Sequence, residues 1–169
     1  TYFTGPVPED EPSYAVSPGY SAPGAEVREY DEAEVHVIET SLLRIRIRTE
    51  EQKVDFYDIV TDEPLLADEG GFGRESKDWT GDARVWIRKR LQDTEHFFGL
   101  GDKPCALNLR GKYFSMWGAD HYDFHEESDP LYKSVPFFLS LREGKAYGLL
   151  FDNTCRSYFD FGASDEKVL

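Results

Sequence analysis

Between positions 117 and 132 the sequence sets five carboxylates, Asp120, Asp123, Glu126, Glu127 and Asp129, among four aromatic rings, Trp117, Tyr122, Phe124 and Tyr132. Glycoside hydrolysis uses paired carboxylates, one as acid and one as nucleophile or base. Such a pair must flank a sugar, and its members usually come from different elements, so a local cluster does not establish one. Aromatic faces beside carboxylates suit sugar recognition, because the ring stacks on C–H surface while the acids accept hydroxyl hydrogen bonds. The residue types point to a carbohydrate contact, with a solvated acidic loop or cation-attracting patch as the plainer alternative. His121 and His125 lie four apart, a metal-site spacing if they shared a helix face. The stretch Gly118–Asp129 lacks helical periodicity and reads as a loop, where both imidazoles sit in water and no metal is expected.

Other candidates fall away on spacing. Cys105 and Cys155 have no second thiol at zinc-ligand distance in sequence and read as two lone thiols, whose pairing sequence does not decide. Gly99-Leu100-Gly101 lacks a third glycine, and Pro104 falls where a nucleotide-binding helix would begin. These glycines read as sites of close backbone approach or a bulge, and no cofactor is implied.

The elements that must carry the loop are strands. Period-two alternation runs through Val35, Val37, Leu43, Ile45 and Ile47, with His36, Arg44, Arg46 and Arg48 between them. The three arginines read as a solvated outer face paired with nearby carboxylates, not as an anion-binding stripe. Further strands are expected at Val54–Tyr57, Val85–Leu91, Phe97–Leu100, Lys112–Trp117, Val135–Leu141, Tyr147–Phe151 and Tyr158–Phe161. Turn chemistry is read at Asp68-Glu69-Gly70-Gly71, Thr80-Gly81-Asp82 and Arg110-Gly111-Lys112, with a hairpin at Arg142-Glu143-Gly144-Lys145. No long segment keeps a 3.6-residue period. The fold class is all-β, an antiparallel β-sandwich.

Composition narrows the function classes. Nineteen basic against 33 acidic residues give a net charge of −14. Nucleic acid is excluded as a partner because phosphate binding needs a clustered basic surface. Anionic membranes are disfavoured for the same reason, and no apolar run is long enough for a spanning helix. With 15% aromatic residues most of the chain can bury a core. Residues 1–25 differ, with five of the nine prolines and no basic residue, and read as an extended arm before a sandwich at 26–169. Nothing reads as a signal peptide. Thr1 at the start, and Leu169 directly after a charged turn, lead us to expect truncation at both ends.

The blocks from Phe97 to Gly162 are more specific. They are Phe98-Gly99-Leu100-Gly101-Asp102-Lys103, Leu107-Asn108-Leu109-Arg110-Gly111-Lys112 and Trp117-Gly118-Ala119-Asp120-His121-Tyr122. Then come Asp129-Pro130-Leu131-Tyr132-Lys133-Ser134-Val135-Pro136-Phe137-Phe138, Tyr147-Gly148-Leu149-Leu150-Phe151-Asp152-Asn153-Thr154, Arg156-Ser157 and Phe159-Asp160-Phe161-Gly162. In this order and spacing the stretch resembles the N-terminal β-sandwich domain of glycoside hydrolase family 31, the α-glucosidase and α-xylosidase family. The resemblance implies a galactose-mutarotase-like sandwich placed before a (β/α)8 barrel. It implies that the barrel supplies both catalytic aspartates for retaining hydrolysis of α-linked sugars. No catalytic residue is then expected in this chain, and Asp123 and Glu126 are not candidates. The implied partners are an α-linked oligosaccharide or glycoside and the parent's own barrel domain.

One position carries over from the family pattern W-x-x-D-x-Y. Asp120, with Trp117 and Tyr122 around it, is implied to contact the sugar near the point of cleavage. Gly118-Ala119 stands where many members have Asn-Thr, with His121 for a small residue and Asp123 for a frequent Gly, so the resemblance does not carry over loop shape or substrate preference. Asp102, Arg110, Asn153 and Arg156 recur in the blocks and read as scaffold. The alternative function is a stand-alone carbohydrate-binding or structural sandwich module.

Overall fold

Tight turns and alternating sequences produce twelve strands and no helix among the described residues. The computed structural model describes residues 13, 15–17, 19–20, 26–75 and 84–169. The Pro-rich arm at 1–25 therefore falls mostly, and the turn Thr80-Gly81-Asp82 wholly, outside the described residues. The chain divides into two compact units, Thr1–Lys89 and Arg90–Leu169.

In the first unit, strands β1 (Arg28–Glu32), β2 (Val35–Glu39), β3 (Leu43–Arg48), β4 (Lys53–Asp58) and β5 (Pro64–Leu66) form an antiparallel sheet in sequential order. The arginines of β3 meet carboxylates across the sheet: Arg44 reaches Glu39 and Asp62, Arg46 reaches Glu32, and Arg48 reaches Glu51 and Asp55. The pairing matches the expectation, but the face is not simply wet. Register puts Arg46 opposite Val37 on one side and Asp55 on the other, and both of those are buried. Arg48 therefore serves a buried acid. Strand β1 carries no strand signal in sequence, because Arg-Glu-Tyr-Asp-Glu has no apolar alternation and all five residues are exposed.

Strands β6 (Asp68–Glu75) and β7 (Arg84–Lys89) form a separate ribbon. The turn expected at Asp68-Glu69-Gly70-Gly71 is instead the start of β6. Gly70 and Gly71 take positive φ and form a bulge between the pairs Asp68–Lys89 and Phe72–Ile87, so residues typical of turns serve a kinked strand. At that end Lys89 pairs with Asp68 at 2.5 Å and donates to the Val54 carbonyl at 2.8 Å, while Asp55 accepts from the Asp68 amide and from Arg48. Asp68 also accepts from the Val54 amide at 2.6 Å. Four charged side chains thus share a network whose Lys89, Asp68 and Asp55 are buried.

The second unit is a small sandwich. Strands β8 (His96–Gly101), β10 (Ser134–Arg142) and β11 (Lys145–Leu150) make one sheet, in the order β11-β10-β8, and β9 (Tyr113–Met116) pairs with β12 (Ser157–Asp160) in the other. The expected hairpin at 142–145 joins β10 to β11, with Glu143 and Gly144 both at positive φ. Between the sheets Phe97, Phe138, Phe159 and Phe161 pack mostly edge to face, joined by Leu91, Leu100, Leu109, Phe114 and Met116. Each fully buried phenylalanine contributes about 1.5–3 kcal/mol. The lone GxG has the structural role expected of it. Gly99 and Gly101 take φ of 130° and 84°; a Cβ on Gly99 would lie 2.6 Å from the Phe137 carbonyl oxygen of the bulged partner strand, and one on Gly101 would collide with the Lys133 carbonyl oxygen just before that strand.

One carboxylate is sealed in this core. Glu95, 1% exposed, accepts from Ser140 Oγ at 2.5 Å, Tyr147 Oη at 2.7 Å and the Gln92 amide at 3.1 Å. Arg110 braces the same turn by donating to the Gln92 and Glu95 carbonyls at 2.6 and 3.0 Å, which fits its scaffold reading.

Candidate functional site

Seventeen residues, 117–133, connect β9 to β10 with no strand or helix among them. Loops this long inside a compact unit are usually functional or disordered. This one is pinned at its base. Lys103, whose side chain is 4% exposed, donates to the Asp129 carboxylate and, at 2.8 Å, to the Ser115 carbonyl. Asp129 in turn accepts from the Ser115 amide. Farther out, the Ala119 amide donates to the Leu131 carbonyl at 3.3 Å, and the Tyr132 hydroxyl donates to the His121 carbonyl. Leu131 is buried beneath, and Phe124 packs edge-on against Tyr132 with centroids 6.3 Å apart.

The three expected contact residues have different settings. Trp117, 46% exposed, lines a recess of about 340 Å³ with Met116, Gly118, Ser134, Pro136, Asn153, Thr154, Cys155 and Ser157. Asp120 is exposed just beyond the neck at Ala119, and its carboxylate makes no hydrogen bond or ion pair with any described residue. Tyr122 is fully exposed farther along the loop. Asp120 and Tyr122 share the loop with Trp117 but do not line its recess. An exposed carboxylate can accept hydroxyl hydrogen bonds from a neutral polyol, and charge assistance strengthens them.

The opposite wall comes from the connection between β11 and β12. Asn153 Oδ1 accepts from the Cys155 amide at 3.0 Å, and its Nδ2 donates to the Phe151 carbonyl at 3.4 Å, in keeping with a scaffold role. Arg156 does not line the recess itself, but its guanidinium lies 4.9 Å from the ring centroid of Trp117, which does, and makes a cation–π contact with it. Only the distance in sequence hid it, since nothing local in Arg156-Ser157 points back to residue 117. Cys155 is an exposed free thiol at the rim, and Cys105 is a free thiol against the core. His121 and His125 gather no ligand set: among the described residues no three His, Cys, Asp or Glu side chains are placed to hold a metal. The Ser128 amide instead donates to the His125 carbonyl and the His125 amide to Ser128 Oγ, both at 2.9 Å, which shapes the loop.

Comparison with known proteins agrees with the sandwich geometry. The family described as the glycosyl hydrolase 31 N-terminal galactose mutarotase-like domain matches residues 2–160. An α-glucosidase 2 from Bacillus thermoamyloliquefaciens is 41% identical over 96 residues, covering 56% of this chain and 12% of that protein. An α-glucosidase from Saccharolobus solfataricus is 34% identical over 87 residues, covering 51% of this chain and 13% of that protein. This chain thus corresponds to about an eighth of those relatives' length. Among solved structures, a glycoside hydrolase family 31 dextranase from Flavobacterium johnsoniae superposes with a TM-score of 0.70 at 33% identity, over 84% of this chain and 16% of that one. By its strands, its motif blocks and this match over nearly its whole length, the chain belongs to the family of glycosyl hydrolase 31 N-terminal galactose mutarotase-like domains.

Proposed function

We propose that this chain serves as the N-terminal domain of a retaining α-glycosidase of α-glucosidase type, which hydrolyses α-linked glycosides or oligosaccharides. In this reading residues 26–169 are the sandwich, residues 1–25 an extended arm, and a (β/α)8 barrel elsewhere in the parent enzyme carries the nucleophile and the acid/base. Asp120 accepts hydrogen bonds from a sugar hydroxyl, while Trp117 and Tyr122 offer aromatic surface beside it. The observation that carries the reading is the exposed carboxylate of Asp120, unpaired among the described residues, on a loop held at its neck and base. Family membership and the α-glucosidase relatives support the substrate class.

The test has two arms. The 169-residue chain by itself should give no turnover of nitrophenyl α-glucoside and no calorimetric signal with maltose. In the enzyme that carries this domain, Asp120→Asn should lower kcat/KM roughly 10–100-fold, the size of a charged hydrogen bond. Unchanged kinetics there would remove Asp120 from the sugar site, and clear maltose binding by the chain alone would favour a stand-alone binding module.

A further inference from the structure

The Lys103–Asp129 pair does more than fill space. Lys103 reaches three groups at once: the Asp129 carboxylate, the Ser115 carbonyl and the face of Phe114, 5.3 Å from its centroid. Asp129 closes the ring by accepting from the Ser115 amide, so both backbone groups of Ser115 are taken up by this ion pair. The pair ties β9, just before the loop leaves it, to the point where the loop returns. With the Lys103 side chain 4% exposed, water competes poorly for these bonds, and a pair in such a setting resists salt far better than one on the surface. The other ties in this loop, Ala119 to Leu131 and Tyr132 to His121, join the same two legs of chain and bracket Asp120.

We infer that Lys103 and Asp129 are positioning residues, which fix the two legs of the 117–133 loop and thereby the place of Asp120. The inference rests on the reading of Asp120 as a sugar contact for its functional consequence, but its structural half stands apart. Lysine suits the position because three donors on a slender stem can serve a carboxylate and a carbonyl together. Asp129 suits it because both oxygens are used, one for each partner.

Hydrogen exchange on the 169-residue chain tests the clamp. Lys103→Met keeps the stem over Phe114 and removes the charge. It should speed exchange of the Ser115, Ala119, His125 and Ser128 amides at least 10-fold while the Leu109, Gly111 and Phe161 amides keep their protection. Asp129→Asn, which retains one acceptor oxygen and the side-chain volume, should give a smaller acceleration at the same amides. Lys103→Arg should restore part of the protection. Unchanged loop amides, or equal acceleration in the core, would overturn the clamp. In the enzyme carrying this domain, Lys103→Met should lower kcat/KM and yet add nothing in an Asp120→Asn background. Additive losses would overturn the link between clamp and Asp120. If Asp120→Asn alone is silent, the sugar-contact reading falls, while the exchange data still decide the clamp.

Discussion

Arg156 lays its guanidinium 4.9 Å from the centre of the Trp117 ring, joining the β11–β12 connection to the first residue of the loop that follows β9. One face of the indole is thereby engaged by a cation. Arginine is weakly hydrated and planar, so it stacks on indole at little desolvation cost. For a ring proposed to meet sugar, such stacking limits its tumbling.

Arg156→Ala should therefore destabilise the second unit by about 0.5–1 kcal/mol, the usual worth of an exposed cation–π contact. The same change in a Trp117→Leu background should cost almost nothing. Urea unfolding of the two singles and the double measures the coupling. Additive effects would mean that the stacked geometry contributes no energy.

The sealed carboxylate of Glu95 predicts a larger effect. Glu95→Leu leaves the Ser140 and Tyr147 hydroxyls and the Gln92 amide without their acceptor, Ser140 fully buried and the other two half-buried. Each stranded donor costs about 1–3 kcal/mol, so a total loss of about 3 kcal/mol or more is expected. Glu95→Gln, which keeps one acceptor oxygen, should cost less. Equal losses for the two variants would show that packing, not hydrogen bonding, is at stake.

Much of this could be read from sequence, and what could not has physical reasons. The aromatic strands β8, β10 and β11 announce themselves as short apolar runs, and the turn between β10 and β11 carries Gly144 at positive φ. Strand β1 is polar throughout, and β6 opens with glycines that look like a turn, so local chemistry there contradicts the element formed. The same limit applies at the site. Asp120 and Trp117 lie in one motif, whereas Lys103 with Asp129 and Arg156 with Trp117 are pairings 26 and 39 positions apart, made only by the fold.

Alkaline pH offers a separate handle on the core. Burial, then the charge of Glu95 and the hydrogen bond to it, push the Tyr147 hydroxyl well above its ordinary value of about 10. A pKa raised on folding stabilises the protonated form, so its contribution is fully present below pH 10 and is lost as pH climbs beyond. Wild type should lose stability faster than Tyr147→Phe between pH 10 and 11.5, by up to about 1.4 kcal/mol for each pH unit. Urea midpoints at pH 8, 10 and 11.5 give both slopes, and parallel slopes would contradict the buried Tyr147–Glu95 contact.

The first unit's charged network gives the last prediction. Lys89 is the counter-charge of Asp68, and both side chains are almost wholly buried, at 6% and 1% exposure. Lys89→Met retains the apolar stem near Phe56 but leaves the buried Asp68 carboxylate without its counter-charge, and Arg48 is already engaged by Asp55. Removing one partner of a buried pair costs about 3–5 kcal/mol, because an uncompensated charge stays behind. Replacing both partners, Lys89→Met with Asp68→Leu, removes that charge but also strands the Val54 amide that Asp68 now accepts. The double variant should therefore recover only part of the loss. Thermal unfolding followed by circular dichroism would show this order: wild type most stable, the double next and Lys89→Met least. A double variant weaker than Lys89→Met would mean that the Asp68 hydrogen bond to Val54 outweighs the ion pair itself.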